Sequence, residues 1–485
     1  MSKPPAADSA SLRAAGRNIE TPFTVHVHRN SWSAELTCTR AMRILPGKRL
    51  VFAGEKEGEK VVAKFFLDRK KGERHCSREE RGIAALHKAG IHAPQILLRG
   101  RLHHGKEPVL VFQKIQPALG FSEAWEQADT DTERRELLKH LVSVTAAMHE
   151  AGLVHKDAHP GNFMLSGTLM YAVDGAAVHT AHQGRPLSRQ KSLKNLGAFF
   201  AQFSGSHDNL LNEAFQQYLK QRGLKNQSGL SRALATQIRL QRKKREQKYL
   251  KKIYRESSAR VCRKSSGWFL LCDRSLYTEN MARFLAEPDR FMDSARLLKD
   301  GNSSTVALIE IDQQPLVVKR YNIKDLWHGL RRCPRPSRAW HSWKNAHRLN
   351  FLGIATPKPI ALIEKRWGHL RFKAYFITEN TPGINAYRWF HSEKGKNLNQ
   401  EKIVLQFGEL LQKLYEARII HGDFKATNFI ISDGRLFVTD LDAMRSYKGK
   451  LGAFRRKFNK DCHRLMQNWT DLPDVYEMFY KQIQR

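Results

Sequence analysis

The chain has 485 residues, of which 41% are hydrophobic and 27% charged, with 83 Lys+Arg against 47 Asp+Glu and a formal net charge of +36. That length allows two or three domains with their own cores, and that composition excludes a wholly disordered chain. No apolar run approaches the ~18 residues of a membrane-spanning helix, and the N-terminal stretch lacks the apolar core of a secretory signal. The six cysteines (Cys38, Cys76, Cys262, Cys272, Cys333 and Cys462) are scattered and form no C-x-x-C pair, which argues against a disulfide framework or zinc ribbon and for a reducing cytosol. The strong positive charge fits nucleic acid, an anionic lipid surface or a phosphorylated substrate, so sites must decide among them.

Residues 1–30, rich in Ala and small polar residues, read as a loose tail. From about Arg43 the pattern turns β-like, with RLVFAG and then KVVAKFF. A helix is predicted around Arg78–Ala89, stopped by Gly90-Ile91-His92-Ala93-Pro94. PVLVFQKI reads as a further strand, and ERRELLKHLVSVTAAMHEAG as a long helix with apolar residues three and four apart. The same order then recurs. PLVVKRY resembles VVAKFF, RAWHSWKNAHRLNFLGIATPKP resembles REERGIAALHKAGIHAP, AYFITEN resembles VLVFQKI, and EKIVLQFGELLQKLYEARIIHGD resembles RELLKHLVSVTAAMHEAGLVHKD. A period this long means duplication of a whole unit rather than a solenoid. Between the copies, Ile238 to Lys264 holds twelve Lys/Arg against two Glu. It reads as a connecting helix, either simply solvated or an anion-binding arm.

Chemistry concentrates in two stretches. The first is His155-Lys156-Asp157-Ala158-His159-Pro160-Gly161-Asn162-Phe163, followed by a strand-like run to Asp174. The second is His421-Gly422-Asp423-Phe424-Lys425-Ala426-Thr427-Asn428-Phe429, followed by Leu436-Phe437-Val438-Thr439-Asp440. Each His, Asp, Asn and Asp of one stretch lies 266 residues from its counterpart. The spacing resembles the protein-kinase catalytic loop and its metal-binding Asp. Phosphoryl transfer requires in-line positioning and charge neutralisation more than covalent help. An Asp aligns the acceptor hydroxyl and takes its proton, which assigns Asp157 and Asp423 as bases. An Asn and a second Asp supply oxygens for Mg²⁺ across the ATP phosphates, which assigns Asn162, Asp174, Asn428 and Asp440 as metal ligands. One such match is weak and could be an Asx-turn with its caps. Two matches, each after an apolar helix and each with an Asp 17 residues on, outweigh that reading.

The strand lysines extend the pattern: Lys64 in VVAKFF and Lys319 in PLVVKRY stand where kinases place the Lys that touches the α/β-phosphates. In kinases that Lys pairs with a Glu of the next helix. The first half offers Glu79 or Glu80, whereas the second has Ser342 and Trp343 opposite them. The second half in turn has Asp300-Gly301-Asn302-Ser303-Ser304-Thr305-Val306, which reads as a phosphate-covering hairpin loop using Gly301, Ser303 and Ser304. The first has only Pro46-Gly47-Lys48. Lys425, two residues after its Asp, is suited to neutralising the transferring phosphoryl. His159 occupies the same place in an H-P-G-N setting like that of small-molecule kinases, or else is a loop histidine bonded to backbone.

With these motifs and the segment SRAWHSWKNAHRLNFLGIATPKPIALIE, the chain resembles the lipopolysaccharide kinase family, bacterial kinase-like enzymes that phosphorylate inner-core heptose or Kdo. The resemblance covers about residues 35–480 as two copies. It implies an α+β chain of two tandem protein-kinase-like bilobal domains, with hinges at Val111–Lys114 and Phe376–Asn380 and with Asp461 bracing the second catalytic loop. It implies use of ATP and Mg²⁺, and a cytoplasmic enzyme peripheral at the inner membrane, with lipid A–core glycolipid as acceptor and an anionic membrane surface as neighbour. The expected boundaries are a tail over 1–30, a first domain over 31–235, a basic connector over 236–264 and a second domain over 265–485. A protein or other small-molecule kinase, or a non-catalytic scaffold, are the competing readings. Nucleic acid is disfavoured because RNA-binding aromatic signatures are absent.

Overall fold

A computed structural model describes the chain except for residues 1–3, 30–31, 104, 182–183, 226–227, 323–334, 369, 394–399 and 485. Helices and strands are mixed throughout, an α+β architecture, and the chain divides into two compact units, Met1–Lys243 and Lys244–Arg485.

The first unit begins with α1 (Ser9–Ala14), then β1 (Phe23–Arg29), β2 (Trp32–Leu45), β3 (Arg49–Lys56), β4 (Glu59–Phe66), α2 (Gly72–Lys88), β5 (Ile96–Leu102) and β6 (Pro108–Gln113). The six strands close into a barrel of order β1-β2-β3-β4-β6-β5, because β1 pairs with both β2 and β5. This corrects the expectation of a loose tail over 1–30. Phe23, Val25 and Val27 alternate into the barrel core, and Leu12 of α1 is buried with them, the period-2 signature of a half-buried strand. The Ala/Ser-rich residues before it had masked that pattern.

Then follow β7 (Leu119–Gly120), α3 (Phe121–Gln127), α4 (Asp131–Glu150), β8 (Leu153–His155), β9 (Phe163–Ser166), β10 (Leu169–Ala172), β11 (Val178–Thr180), α5 (Arg189–Phe200) and α6 (Asp208–Gln221). A reciprocal Thr130–Glu133 capping box starts α4 and satisfies two donors that would otherwise lack partners. Leu138, Leu141 and Val142 of α4 pack with Phe163, Phe199 and Phe215. That core fixes the β9–β10 hairpin, whose register sets Phe163 opposite Ala172.

The basic stretch forms the C-terminal part of α7 (Ser228–Lys252). Leu234 and Ile238 join the first unit's core, whereas Leu250 and Ile253 join a core of the second. The expected connector over 236–264 is corrected at its far end, where Arg260–Lys264 is strand β12, paired along its length with β13 (Trp268–Asp273). Val261 is buried in that pair.

The second unit continues with α8 (Glu279–Ala286), α9 (Pro288–Asp293), β14 (Arg296–Lys299), β15 (Ser304–Ile311), β16 (Gln314–Tyr321), α10 (Arg338–Phe351), β17 (Pro359–Trp367) and β18 (Leu370–Glu379). Its sheet is open, in the order β12-β13-β17-β18-β16-β15-β14. After it come β19 (Ile384–Asn385), α11 (Ala386–Phe390), α12 (Gln400–Glu416), β20 (Ile419–Ile420), β21 (Phe429–Ser432), β22 (Arg435–Val438), β23 (Arg445–Ser446), α13 (Leu451–Met466) and α14 (Pro473–Gln484). The β14-β15-β16-β18-β17 order of the open sheet repeats β2-β3-β4-β6-β5 of the barrel. Each unit thus carries the same five-stranded core with a different addition. Cys333 lies outside the described residues, and the other five cysteines are free thiols.

Candidate active sites

In the first unit β8 ends at His155, a single 3₁₀ turn spans Pro160–Asn162, and β9 and β10 lead to Asp174. Asn162 ties these parts together. Its Nδ2 donates to the carbonyl of Asp157 at 2.8 Å, and its own carbonyl accepts from Val173 N at 3.0 Å. These bonds bring Asp157, Asn162 and the end of β10 before Asp174 together. Behind them His155 is fully buried, and burial pushes its imidazole pKa down. Its carbonyl accepts from Asn195 Nδ2 at 2.9 Å.

Lys64 reaches this loop from β4. Its Nζ donates to Glu79 Oε1 at 2.5 Å and to the carbonyl of Val173 at 3.4 Å. The second Glu79 oxygen accepts from Ala176 N at 3.3 Å. Glu79 is fully buried, a position a carboxylate tolerates only when paired and hydrogen-bonded. Glu80 instead forms an ion pair with Arg99, so of the two candidates only Glu79 is brought to Lys64. Contact between α2 and the loop also demands glycine, since a Cβ on Gly82 would sit 1.8 Å from the Gly175 carbonyl oxygen. His159 accepts from Gly161 N through Nδ1 at 3.0 Å, capping the 3₁₀ turn.

The second unit repeats the loop. Asn428 Nδ2 donates to the carbonyl of Asp423 at 2.8 Å and to its Oδ2 at 3.2 Å, and the Asn428 carbonyl accepts from Thr439 N at 2.9 Å. Asp461, on α13, accepts from the backbone N–H groups of His421 and Gly422 at 2.8 and 3.2 Å, so it braces this loop. Burial raises its pKa against those hydrogen bonds. Asp440 has φ +54°, a left-handed conformation unusual for a non-glycine residue and concentrated at functional sites. Lys425 Nζ lies 3.4 Å from Asp423 Oδ1.

Here the strand lysine meets a different partner. Lys319 Nζ bonds Asp440 Oδ1 at 2.5 Å and lies 3.7 Å from Asp442. Burial opposes its charge, but Tyr321, Asp440 and Asp442 together raise its pKa. Asp440 is likewise disfavoured by burial, yet Lys319 holds its pKa below the usual carboxylate value. Asp442 is also gripped from α10 by Arg338 Nη2 at 2.5 Å. Ser342, opposite Glu79 in the repeat, donates or accepts one hydrogen bond with the Tyr321 hydroxyl at 2.8 Å. Asp442 and Arg338 were not foreseen from the sequence. The available signal was the second Asp of Thr439-Asp440-Leu441-Asp442, which stands 266 residues after Ala176.

The 300–303 segment joins β14 to β15 as a hairpin turn. The Gly301 carbonyl accepts from Ser304 N and Asn322 Nδ2, both at 3.2 Å, and the Ser303 carbonyl accepts from Arg338 Nη1 at 3.3 Å. Ser304 itself is buried at the start of β15. Pro46–Lys48 occupies the corresponding β2–β3 turn.

The residues present fit a divalent cation. Asp174 Oδ1 is buried without a hydrogen-bond partner, and both Asn side chains spend their NH₂ on an Asp carbonyl, leaving the amide oxygens for a hard cation. Among the described residues no group of three or more His, Cys, Asp or Glu converges on a metal site. Mg²⁺ needs fewer protein ligands, because phosphate and water complete its shell.

A model of the lipopolysaccharide kinase (Kdo/WaaP) family matches residues 55–174 and again residues 290–476, more than half of the chain in two stretches, consistent with tandem duplication. No curated protein matches the chain. A solved structure of WaaP in complex with acyl carrier protein aligns at TM-score 0.33 and 18% identity, covering 43% of this chain and 88% of that one.

Proposed function

Because the chain belongs to the lipopolysaccharide kinase (Kdo/WaaP) family, a family of kinases acting on sugar hydroxyls, we propose that it transfers the γ-phosphoryl group of ATP to a heptose or Kdo hydroxyl of the lipopolysaccharide inner core. Each unit is then a bilobal kinase-like domain. The observation that carries this reading is the convergence of Lys319, Asp423, Asn428 and Asp440 at one site, with Lys64, Asp157, Asn162 and Asp174 repeating it.

Asp423 Oδ1 takes the acceptor proton while Asn428 holds Oδ2. Lys425, 3.4 Å from Oδ1, meets the phosphoryl charge as it moves toward the acceptor. Lys319, paired with Asp440 here, would turn to the more highly charged ATP phosphates, and Asp440 with Asn428 would hold Mg²⁺. The cation, when bound, offsets phosphate charge. The +36 charge and the exposed lysines of α7 (Lys243, Lys244, Lys248, Lys251 and Lys252) fit a cytoplasmic enzyme drawn to the anionic inner face of the inner membrane. No helix among the described residues is long and apolar enough to cross a membrane.

Purified protein with ATP, Mg²⁺ and dephosphorylated core should incorporate phosphate. Folded, nucleotide-bound protein that transfers none would overturn the reading. Binding to vesicles with and without anionic lipid tests the membrane part.

A further inference from the structure

Asp423 is held by a second cation besides Lys425. Arg464, on α13, places Nη2 3.1 Å from Asp423 Oδ1. This is the oxygen left to take the acceptor proton, since Oδ2 accepts from Asn428. That oxygen is buried with no hydrogen-bond partner, so the cations in ion-pair contact with it must yield when the hydroxyl docks. Arg464 is 43% exposed, so its fork can turn to an incoming group without unpacking the core. A planar guanidinium suits bidentate recognition of phosphate or carboxylate. Lys460 and Arg456 are exposed one and two turns back along α13, on the same helix face at four-residue steps. The ladder Arg456–Lys460–Arg464 therefore leads to the catalytic Asp.

The first unit lacks this ladder. Asp461 and Asn195, which both serve the catalytic loop, are separated by the same 266 residues as the loops themselves. That offset sets Ala198 opposite Arg464, Lys194 opposite Lys460 and Gln190 opposite Arg456, with His159 opposite Lys425. The two cations at Asp423 thus have a methyl group and a backbone-bonded histidine as counterparts.

We propose that Arg464, supported by Lys460 and Arg456, forms an acceptor subsite in the second unit that selects a sugar carrying a phosphate or carboxylate beside the reacting hydroxyl. This rests on the kinase reading above and names the acceptor class for one of the two sites.

The test compares wild type, Arg464→Ala and Arg464→Lys, each checked for an unchanged melting temperature. Three acceptors are used: deacylated core oligosaccharide, the same after phosphatase, and the same after chemical reduction of its carboxylates. Arg464→Ala should raise KM for the intact acceptor by about 10- to 100-fold, the loss of a charged hydrogen bond, with KM for ATP unchanged. Arg464→Lys should recover part of it. Removing the recognised anion should raise wild-type KM and abolish the difference between wild type and Arg464→Ala, and the arm that does so identifies phosphate or carboxylate. An equal fall in kcat on every acceptor, with no change in the acceptor KM, would make Arg464 a brace for Asp423 and overturn the subsite. Wild-type protein that binds ATP but phosphorylates none of the three would instead overturn the kinase reading, and the subsite with it.

Discussion

In the first unit the carboxylate that holds the strand lysine comes from a helix, Glu79 of α2. In the second unit α10 has Ser342 at that place, and the carboxylates come from the loop after β22, as Asp440 and Asp442. The helix keeps a tie to the loop with its polarity reversed: Glu79 accepts from Ala176 N in one unit, and Arg338 donates to Asp442 in the other. Both solutions anchor a mostly buried ammonium and fasten a helix to the loop that follows the hairpin. A duplicated site can therefore exchange which element supplies the lysine's carboxylate while keeping the strand lysine at the end of the same hairpin.

The sharpest way to break this comparison is to remove each proposed base. Asp423→Asn should lower kcat by roughly 10²–10⁴-fold, the usual contribution of a general base, and Asp157→Asn should leave that transfer intact and alter a separate activity or its regulation. Identical losses on one acceptor would show that the halves act as a single site. Next comes the buried pair of the first unit. Glu79→Ala strands Lys64 and should destabilise by about 3–5 kcal/mol, read from denaturant unfolding, whereas Glu80→Ala, at a partly exposed pair, should cost less than about 1 kcal/mol. In the second unit Asp442→Asn should raise KM for ATP several-fold more than it lowers kcat, because it loosens Lys319 and leaves Asp423 untouched.

The smallest effect is graded with pH. His155, His421, His149 and His347 all have pKa values lowered by burial, His149 to about 4 and His347 to about 3. Lowered pKa values mean the unfolded chain binds protons first, so their stability contribution is complete above the ordinary imidazole value of about 6.5 and is lost as pH falls below it. Melting temperature should decline progressively from about pH 6.5 toward 4, earlier than carboxylate titration alone would bring.

Much of the site was legible because it is local. His, Asp, Asn and the second Asp lie within one loop and one hairpin, so their spacing in sequence nearly fixes their spacing in space. The choice between Glu79 and Glu80 was not, because adjacent helical residues point about 100° apart and only packing shows which one turns inward. Arg464 was invisible for another reason. It approaches Asp423 from a helix some forty residues later, and a single Arg among the many basic residues of α13 carries no distinguishing pattern. The repeat showed the shared fold core, while the strand that closes the barrel lay in a segment whose composition suggested a tail.

That closure has a consequence for self-association. A closed barrel presents no unpaired strand edge, so this sheet of the first unit offers no template for adding a foreign strand. The open sheet of the second unit ends in β12 and β14, and both are gated by charge: Arg260, Arg263 and Lys264 on one, Arg296 and Lys299 on the other. Between Arg296 and Lys299 lie Leu297 and Leu298, each about half exposed. This is the edge where salt, by screening those gatekeepers, would first let copies of the chain stick strand to strand.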